Sequence, residues 1–288
     1  MPVNPARADT ASPLAAVARF LACPECGDAM TVRDRSLICA RGHSFDMARQ
    51  GYVSLLTGAS TKMTGDTADM LDARAAFQGA RHFAPIADAV AAAVTSGPPS
   101  RAMLEIGSGT AYYLAAALDA VPSAYGIALD VSKPAARRGA RAHVRAASVL
   151  ADAWRGLPIR DGALTHVLSV FAPRNPDEVA RVLAPGGRFV VVTPTPRHLS
   201  ELIAPLDMVR VDTAKDARLA DALSGRFDRL DSLLVEYPMA LDHTDVAHIA
   251  AMGPSAFHAT DGRAGLIAAL PEAVEVTASV TVATYTVR

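Results

Sequence analysis

The stretch AMLEIGSGTAYYLAAALDA, residues 102–120, decides the fold. Its first six residues (102–107) are a short apolar strand, the glycines that follow make a tight turn, and 112–120 suit a helix. The same alternation continues. AYGIALD (124–130) reads as a second strand and 134–142 as a second helix. ASVLAD (147–152) is a third strand. ALTHVLSVF (163–171) is a fourth, followed by a helix through 177–184. APGG (184–187) reads as a turn before a fifth strand, RFVVVTP (188–194). Short apolar strands alternating with helices imply parallel β-α-β units in an open, doubly wound α/β sheet. Towards the C-terminus come SLLVEYPMAL, a helical stretch near 244–252, and VTASVTVATYTV, which alternates as an antiparallel edge strand would.

The turn after the first strand carries Gly107 and Gly109, at the carboxyl edge of the sheet where a ligand's backbone contacts form. A G-x-G by itself fits a nucleotide fold or only a tight turn. Asp130 ends the second strand about 20 residues on, where an acid accepts from both hydroxyls of a ribose. Glu105 lies just before the glycines; it favours a cationic cofactor bearing a free amino group and opposes a pyrophosphate. With the strand–helix–alternating-strand ending expected of class I methyltransferases, this selects S-adenosyl-L-methionine. Asp152, ending the third strand, is placed to reach an adenine amino group. Trp154 could pack on the ring, although a single Trp is more often core.

Upstream, the three cysteines of the chain all fall between residues 23 and 39. Cys23-x2-Cys26, twelve residues, then Cys39-x3-His43 places three thiolates and one imidazole around one ion, which favours a closed, structural Zn2+ site. Gly27 and Gly42 supply turn freedom beside each pair. Arg33, Arg35, Arg41 and Arg49 lie in or next to this module and could meet phosphates, or simply form a solvated face. Residues 66–95 read as helical with a break at Pro85, and SGPPS (96–100) as a linker. The expected division is a flexible tail (1–18), a zinc-binding module (19–60), a helical connection (61–100) and a methyltransferase domain (101–288). The formal net charge is −1, so no global basic signal marks nucleic acid. No apolar run reaches membrane-spanning length, and a cytoplasmic protein without a membrane partner is expected.

Taken together, CPECGDAM, LICARGHSFDMARQGYVSLL, DTADMLDARAAF, LEIGSGTAYYL, FAPRNP, PGGRFVVVTPTPRHL and AMGPSAF resemble the RlmA family of 23S ribosomal RNA guanine-N1 methyltransferases. The resemblance covers nearly the whole chain from about residue 19 and is greatest to the tylosin-resistance branch. It implies zinc on Cys23, Cys26, Cys39 and His43, and cofactor contacts around Phe83, Gly107, Tyr113, Leu114, Asp130 and His198. It further implies 23S rRNA as partner and a homodimer. Two departures stand out: Phe83 occupies a position where relatives commonly carry Tyr, and Ala111 one where many carry a third glycine. In this enzyme class the segment Phe171-Ala172-Pro173 often holds a flipped base.

Methyl transfer to guanine N1 needs donor and acceptor aligned and a sink for the N1 proton. Asp66, Asp69, His82 and His198 are the candidate bases, and no spacing selects among them. Asp66 and Asp69 could simply begin a helix, and His82 could be a satisfied, partly buried histidine. Two other classes remain open from sequence: a methyltransferase acting on transfer RNA or a small molecule, and a non-enzymatic cofactor-binding ribosome-assembly factor.

Overall fold

A computed structural model describes residues 12–58, 61, 63–210, 215–253, 255–256 and 262–288. Helix α1 (Pro13–Val17) precedes a small antiparallel ribbon of β1 (Met30–Arg33), β2 (Ser36–Cys39) and β3 (Ser44–Asp46). Strand β4 (Tyr52–Ser54) and helices α2 (Ala68–Gly79) and α3 (Ala84–Thr95) lead into the alternating region. There, β5 (Ala102–Ile106), α4 (Tyr112–Ala120), β6 (Tyr125–Asp130), α5 (Lys133–Ala142), β7 (Ala146–Leu150), β8 (Leu164–Val170), α6 (Pro176–Val182) and β9 (Leu183–Pro194) follow in order. The chain closes with α7 (Ser200–Ile203), α8 (Lys215–Ser224), β10 (Phe227–Asp242), α9 (His243–Ala251), α10 (Arg263–Ala268) and β11 (Ala273–Val287).

The large sheet has eight strands in the order β10-β11-β9-β8-β5-β6-β7-β4. Strands β4 to β9 within it pair in parallel, and β11 and β10 pair antiparallel at one end. Every residue of β5 and β7 is buried, as parallel strands covered by helices on both faces must be. Side-chain caps start the helices: Thr67 accepts from the Met70 N–H, Ser132 from Ala135, Asn175 from Glu178 and Asp242 from Asp245. The break in the 66–95 helical stretch falls at Ala80–Phe83, and Pro85 sits in the first turn of α3, where its missing N–H costs nothing.

Each sheet face carries one apolar layer. Phe77, Phe83, Val90 and Leu114 pack against Val190 and Val280 on one side. On the other, Leu14, Val17, Leu21 and Leu37 pack against Leu104, Ile127 and Val149. The N-terminal segment is therefore part of the core. This corrects the expected flexible tail. Residues 1–11 lie outside the described residues, but α1 falls within 1–18, and Leu14 and Val17 are buried. Burying such side chains contributes roughly 1.5–3 kcal/mol each, enough to hold a one-turn helix that would not persist alone.

Two further expectations change. The C-terminal strand β11 is not an edge: β10 pairs along it from Phe227↔Val287 to Asp242↔Ala273 and takes the edge position. APGG is not a free turn but a bulge inside β9. Pairing passes from Leu164↔Leu183 to His166↔Arg188, so extra residues of β9 loop out opposite Thr165, with Gly186 at φ 75°. Strand β4 lies within residues 19–60 yet pairs in parallel with β7 from Tyr52↔Ser148 to Ser54↔Leu150, so the cysteine-bearing segment feeds directly into the large sheet. No helix among the described residues is long and apolar enough to cross a membrane.

Candidate active site and metal centre

Two tight turns bring the metal-ligating side chains together. Gly27 N–H donates to the Cys23 carbonyl at 2.7 Å and Gly42 N–H to the Cys39 carbonyl at 3.0 Å. Both glycines have positive φ (76° and 86°), which an L side chain would resist. The ligand atoms of Cys23, Cys26, Cys39 and His43 lie within 4.8 Å of one another. Cys26 and Cys39 Sγ are 3.7 Å apart, and His43 Nδ1 is 3.5 Å from Cys23 Sγ and 3.4 Å from Cys39 Sγ. A tetrahedral Zn2+ with ordinary bond lengths requires about 3.8 Å between sulfurs and about 3.6 Å between sulfur and nitrogen. The donor set and its spacing fit zinc, with His43 binding through Nδ1 and all four positions closed by protein.

The segment leading into this centre is fastened by backbone to the connection between β7 and β8. Leu21 bridges Ile159, Ala22 N–H donates to the Pro158 carbonyl at 3.0 Å, and Arg160 N–H to the Phe20 carbonyl at 2.9 Å. Of the four nearby arginines, Arg41 pairs with Asp28 and Arg35 donates to the Ala48 carbonyl, whereas Arg33 and Arg49 are exposed.

At the carboxyl ends of β5, β6 and β7 the sheet opens into a cavity of about 600 Å3. Gly107, Gly109 and Ala111 all adopt positive φ (65°, 53° and 58°). A Cβ on Gly107 would lie 2.8 Å from Cβ of Ala172, so glycine is required there by close approach as well as by backbone. Ala111 takes the left-handed conformation despite its methyl, which is fully buried. The Asp130 carboxylate accepts from Gly109 N–H and Ser132 N–H, each at 2.8 Å. Burial pushes its pKa up, and those two N–H groups oppose the rise. Asp152 accepts from Thr61 Oγ1 at 2.6 Å and from Trp154 N–H at 3.0 Å. Trp154 itself is half exposed at the rim.

Glu105, 1% exposed, accepts from Leu114 N–H at 3.1 Å. Burial raises its pKa to about 8; the Leu114 N–H and Arg74 lower it, and Asp130 adds to the rise. Beside it the Tyr113 hydroxyl is buried with no hydrogen-bond partner among the described residues. Three carboxylates at three successive strand ends, with an orphaned hydroxyl among them, suit a ligand that is cationic at one end and carries ribose hydroxyls and an amino-substituted ring. S-adenosylmethionine meets each requirement; a pyrophosphate would face Glu105 and Asp130.

The remaining wall is aromatic. Phe171 and His198 stack at 5.7 Å with 24° between planes, and Phe83 lies 5.9 Å from His198. Phe171 is partly exposed and has φ 54°, an outlier for a bulky side chain. Phe171 N–H holds to the Val192 carbonyl at 3.2 Å, and Ser169 Oγ donates to the Ala172 carbonyl at 3.2 Å. The strained backbone at the end of this central strand is thus braced from both sides. The state of His198 follows from one hydrogen bond. Ser279 N–H can only donate, and it does so to Nδ1 at 3.1 Å. The ring proton therefore sits on Nε2, and burial holds the pKa at about 4. His198 is a neutral donor, not a base.

Of the other candidate bases, Asp66 lines the cavity and pairs with Arg74 at 2.7 Å. Asp69 is exposed in the first turn of α2. His82 Nε2 lies 2.9 Å from Asp245 and is not among the cavity-lining residues. Sequence reasoning missed Arg74 and Gln78. Arg74 reaches across to the Met252 carbonyl at 2.5 Å, and Gln78 receives the Thr110 hydroxyl at 2.6 Å. Both lie on the DTADMLDARAAF helix or one residue beyond that motif, and their spacing of four was the available signal. Within AMGPSAF, Met252, Gly253 and Ser255 line the cavity, while Pro254 and Phe257 lie outside the described residues.

Fold and site together define a methyltransferase with an N-terminal zinc ribbon. Residues 104–191 match the methyltransferase domain model, and residues 21–60 match that of the RlmA N-terminal zinc ribbon. A 23S rRNA (guanine(748)-N(1))-methyltransferase of Streptomyces fradiae is 46% identical over 270 residues, covering 92% of this chain and 96% of the relative. A Micromonospora griseorubida protein, provisionally named a 23S rRNA (guanine-N1)-methyltransferase, is 45% identical with the same coverages. The chain belongs to the RlmA family of methyltransferases. A solved methyltransferase from Geobacter sulfurreducens, in complex with S-adenosyl-L-homocysteine, is 17% identical, with a TM-score of 0.44 over 70% of this chain and 90% of that one. That likeness is too remote to bear on the site.

Proposed function

We propose that this chain transfers a methyl group from S-adenosylmethionine to N1 of a guanine in a hairpin loop of 23S rRNA. The observation that carries the reading is kinship at 46% identity across nearly the whole length of both proteins, combined with a carboxylate-lined cavity that opens beside an aromatic wall. When bound, S-adenosylmethionine supplies a methyl group on a positively charged sulfur, already a strong electrophile. The protein's work is alignment and proton handling.

Glu105, Tyr113, Asp130 and Asp152 hold the two ends of the cofactor, and Phe83, Gly107 and His198 of the same cavity complete its cradle, while Gly109 and Leu114 stand behind the lining and steady the Asp130 and Glu105 carboxyls through their N–H groups. Phe171 and Pro173 at the cavity mouth receive the guanine, which must leave its stack to reach the donor. Stacking on Phe171 fixes the plane of the base. Asp66 is the cavity carboxylate left to take the N1 proton once His198 is committed as a donor. We further propose that the enzyme acts as a cytoplasmic homodimer, which light scattering checks, and contributes to tylosin-type macrolide resistance.

Incorporation of labelled methyl groups into unmodified 23S rRNA, followed by primer extension across the hairpin, tests the substrate. A stop at one guanine, with guanine 748 of the Streptomyces fradiae relative's name the first to examine, is the expected result. Methylation of transfer RNA alone, or cofactor binding with no transfer to any RNA, would refute it.

A further inference from the structure

We propose that one face of α5, Lys133–Arg137–Arg141, is a phosphate track that leads an RNA strand from the zinc ribbon to the mouth of the cofactor cavity. The three residues recur at intervals of four, so they form one row on the helix, successive members about 6 Å apart. That is close to the separation of successive phosphates along one strand. All three are exposed, and none makes a hydrogen bond or ion pair to a described residue.

The other cations near this helix are differently employed. Arg138 pairs with Asp72 of α2 and donates to the Ala68 carbonyl at 3.1 Å. Arg145 binds the carbonyls of Val121 and Ala124 at 2.8 and 2.6 Å. The free cations are the outward row and the tied ones point into the structure. No Asp or Glu occurs between Asp130 and Asp152, so nothing on the helix itself neutralises the row, although the chain's net charge is −1. A local field of this kind attracts a polyanion where overall charge would not.

Both ends of the row have an address. Its first member follows Ser132, whose N–H binds Asp130 in the cofactor cavity. Near its far end, Ala48 and Tyr52 of the zinc-bearing segment pack with Ala136 and Ala140 of α5. The turn between them carries Arg49, which is exposed and has no partner among the described residues. A duplex or loop strand lying along α5 would thus touch the ribbon's Arg49 at one end and deliver a base to Phe171 at the other. This inference rests on the reading above only in taking RNA as the partner.

The test is the salt dependence of RNA binding by the intact, zinc-loaded protein. A variant carrying Lys133→Gln, Arg137→Gln and Arg141→Gln is compared with wild type on a 23S hairpin fragment and on an unrelated hairpin, by fluorescence anisotropy. Three lost phosphate contacts reduce the slope of log affinity against log salt by about 2 to 3 and weaken binding at least about tenfold at ~0.1 M salt. Both RNAs are affected alike, because phosphates carry no sequence. Cofactor affinity and thermal midpoint stay at wild-type values, which separates the effect from misfolding. A control variant, Arg226→Gln, Arg229→Gln and Arg288→Gln, removes three charges near β10 and should retain the wild-type slope. An unchanged slope in the α5 variant, or an equal drop in the control, overturns the track. Wild-type protein that binds RNA with a steep salt slope but methylates no 23S fragment refutes the substrate reading and leaves the track standing. Wild-type protein that binds neither RNA overturns both.

Discussion

Cofactor binding should expel a proton from Glu105. The free protein buries this carboxyl almost completely, and burial raises its pKa to about 8. At pH 7 it is therefore about nine-tenths protonated. A cationic cofactor brought against it favours the ionised form, so binding at pH 7 releases about 0.9 proton, and at pH 9 only about 0.1. The sign of the effect on affinity follows: below pH 8 the cofactor's dissociation constant falls about tenfold for each unit rise in pH, and it levels off above pH 8. The same carboxyl loads the unliganded fold. Its unfolded pKa is near 4.5, so the stability it lends is present below that value and lost as pH rises through 8, at the outside about 4–5 kcal/mol. Titration calorimetry at pH 7 in two buffers of different ionisation enthalpy counts the protons directly. Glu105→Gln should abolish the release and flatten the pH dependence. Cofactor binding with no proton release at pH 7, or release that survives Glu105→Gln, would refute the reasoning.

Asp130→Ala should weaken cofactor binding at least about a hundredfold, because it removes a hydrogen-bonded, buried acceptor, with the far-ultraviolet spectrum unchanged; wild-type affinity would remove Asp130 from the site. Asp66→Asn should lower kcat about a hundredfold at saturating RNA, and an unaltered kcat would eliminate it as the proton acceptor. Chelation of the zinc should expose β1 to β4 to amide exchange and also weaken cofactor binding, because β4 pairs with β7 and Thr61 braces Asp152; exchange confined to residues 23–43 with cofactor affinity intact would show the ribbon to be energetically separate. His166 is fully buried, and burial, aided by the nearby Arg188 charge, lowers its pKa to about 4. The stability it contributes is complete above pH 6.5 and is lost as pH falls through 4, so His166→Leu should make the acid limb of a stability curve shallower; an acid limb identical to wild type would show that His166 does not govern it.

Much of the fold was legible because it rests on local periodicity. Each of the five central strands is a mainly apolar run, and each lies within a few residues of its expected position. The bulge at APGG was not legible, because nothing local distinguishes residues that leave a strand from residues that loop out within one. The edge position of the last strand was misread for a related reason. Alternation reports which faces are buried, not which strand pairs outside, and β10 reads as a mixed polar segment because most of it is exposed. The flexible tail was misread from composition: Leu14 and Val17 are two apolar residues among many small ones, and only the sheet face they cover makes them core.

The site divides in the same way. Spacing alone brings Cys23, Cys26, Cys39 and His43 to one point, since two close pairs on a short hairpin have little choice. Spacing also puts Glu105, Asp130 and Asp152 at successive strand ends, because parallel strands joined by helices all finish at the same edge. The amino-acid sequence by itself thus determined the fold class, the reaction chemistry and the metal. What only the tertiary structure decided is how distant groups modify one another. Ser279 assigns the His198 proton from 81 residues away, Thr61 braces Asp152 across 91 residues, and Arg74 binds a carbonyl 178 residues along the chain. Those contacts depend on which elements become neighbours across the sheet, and protonation, strain and burial at the site follow from them.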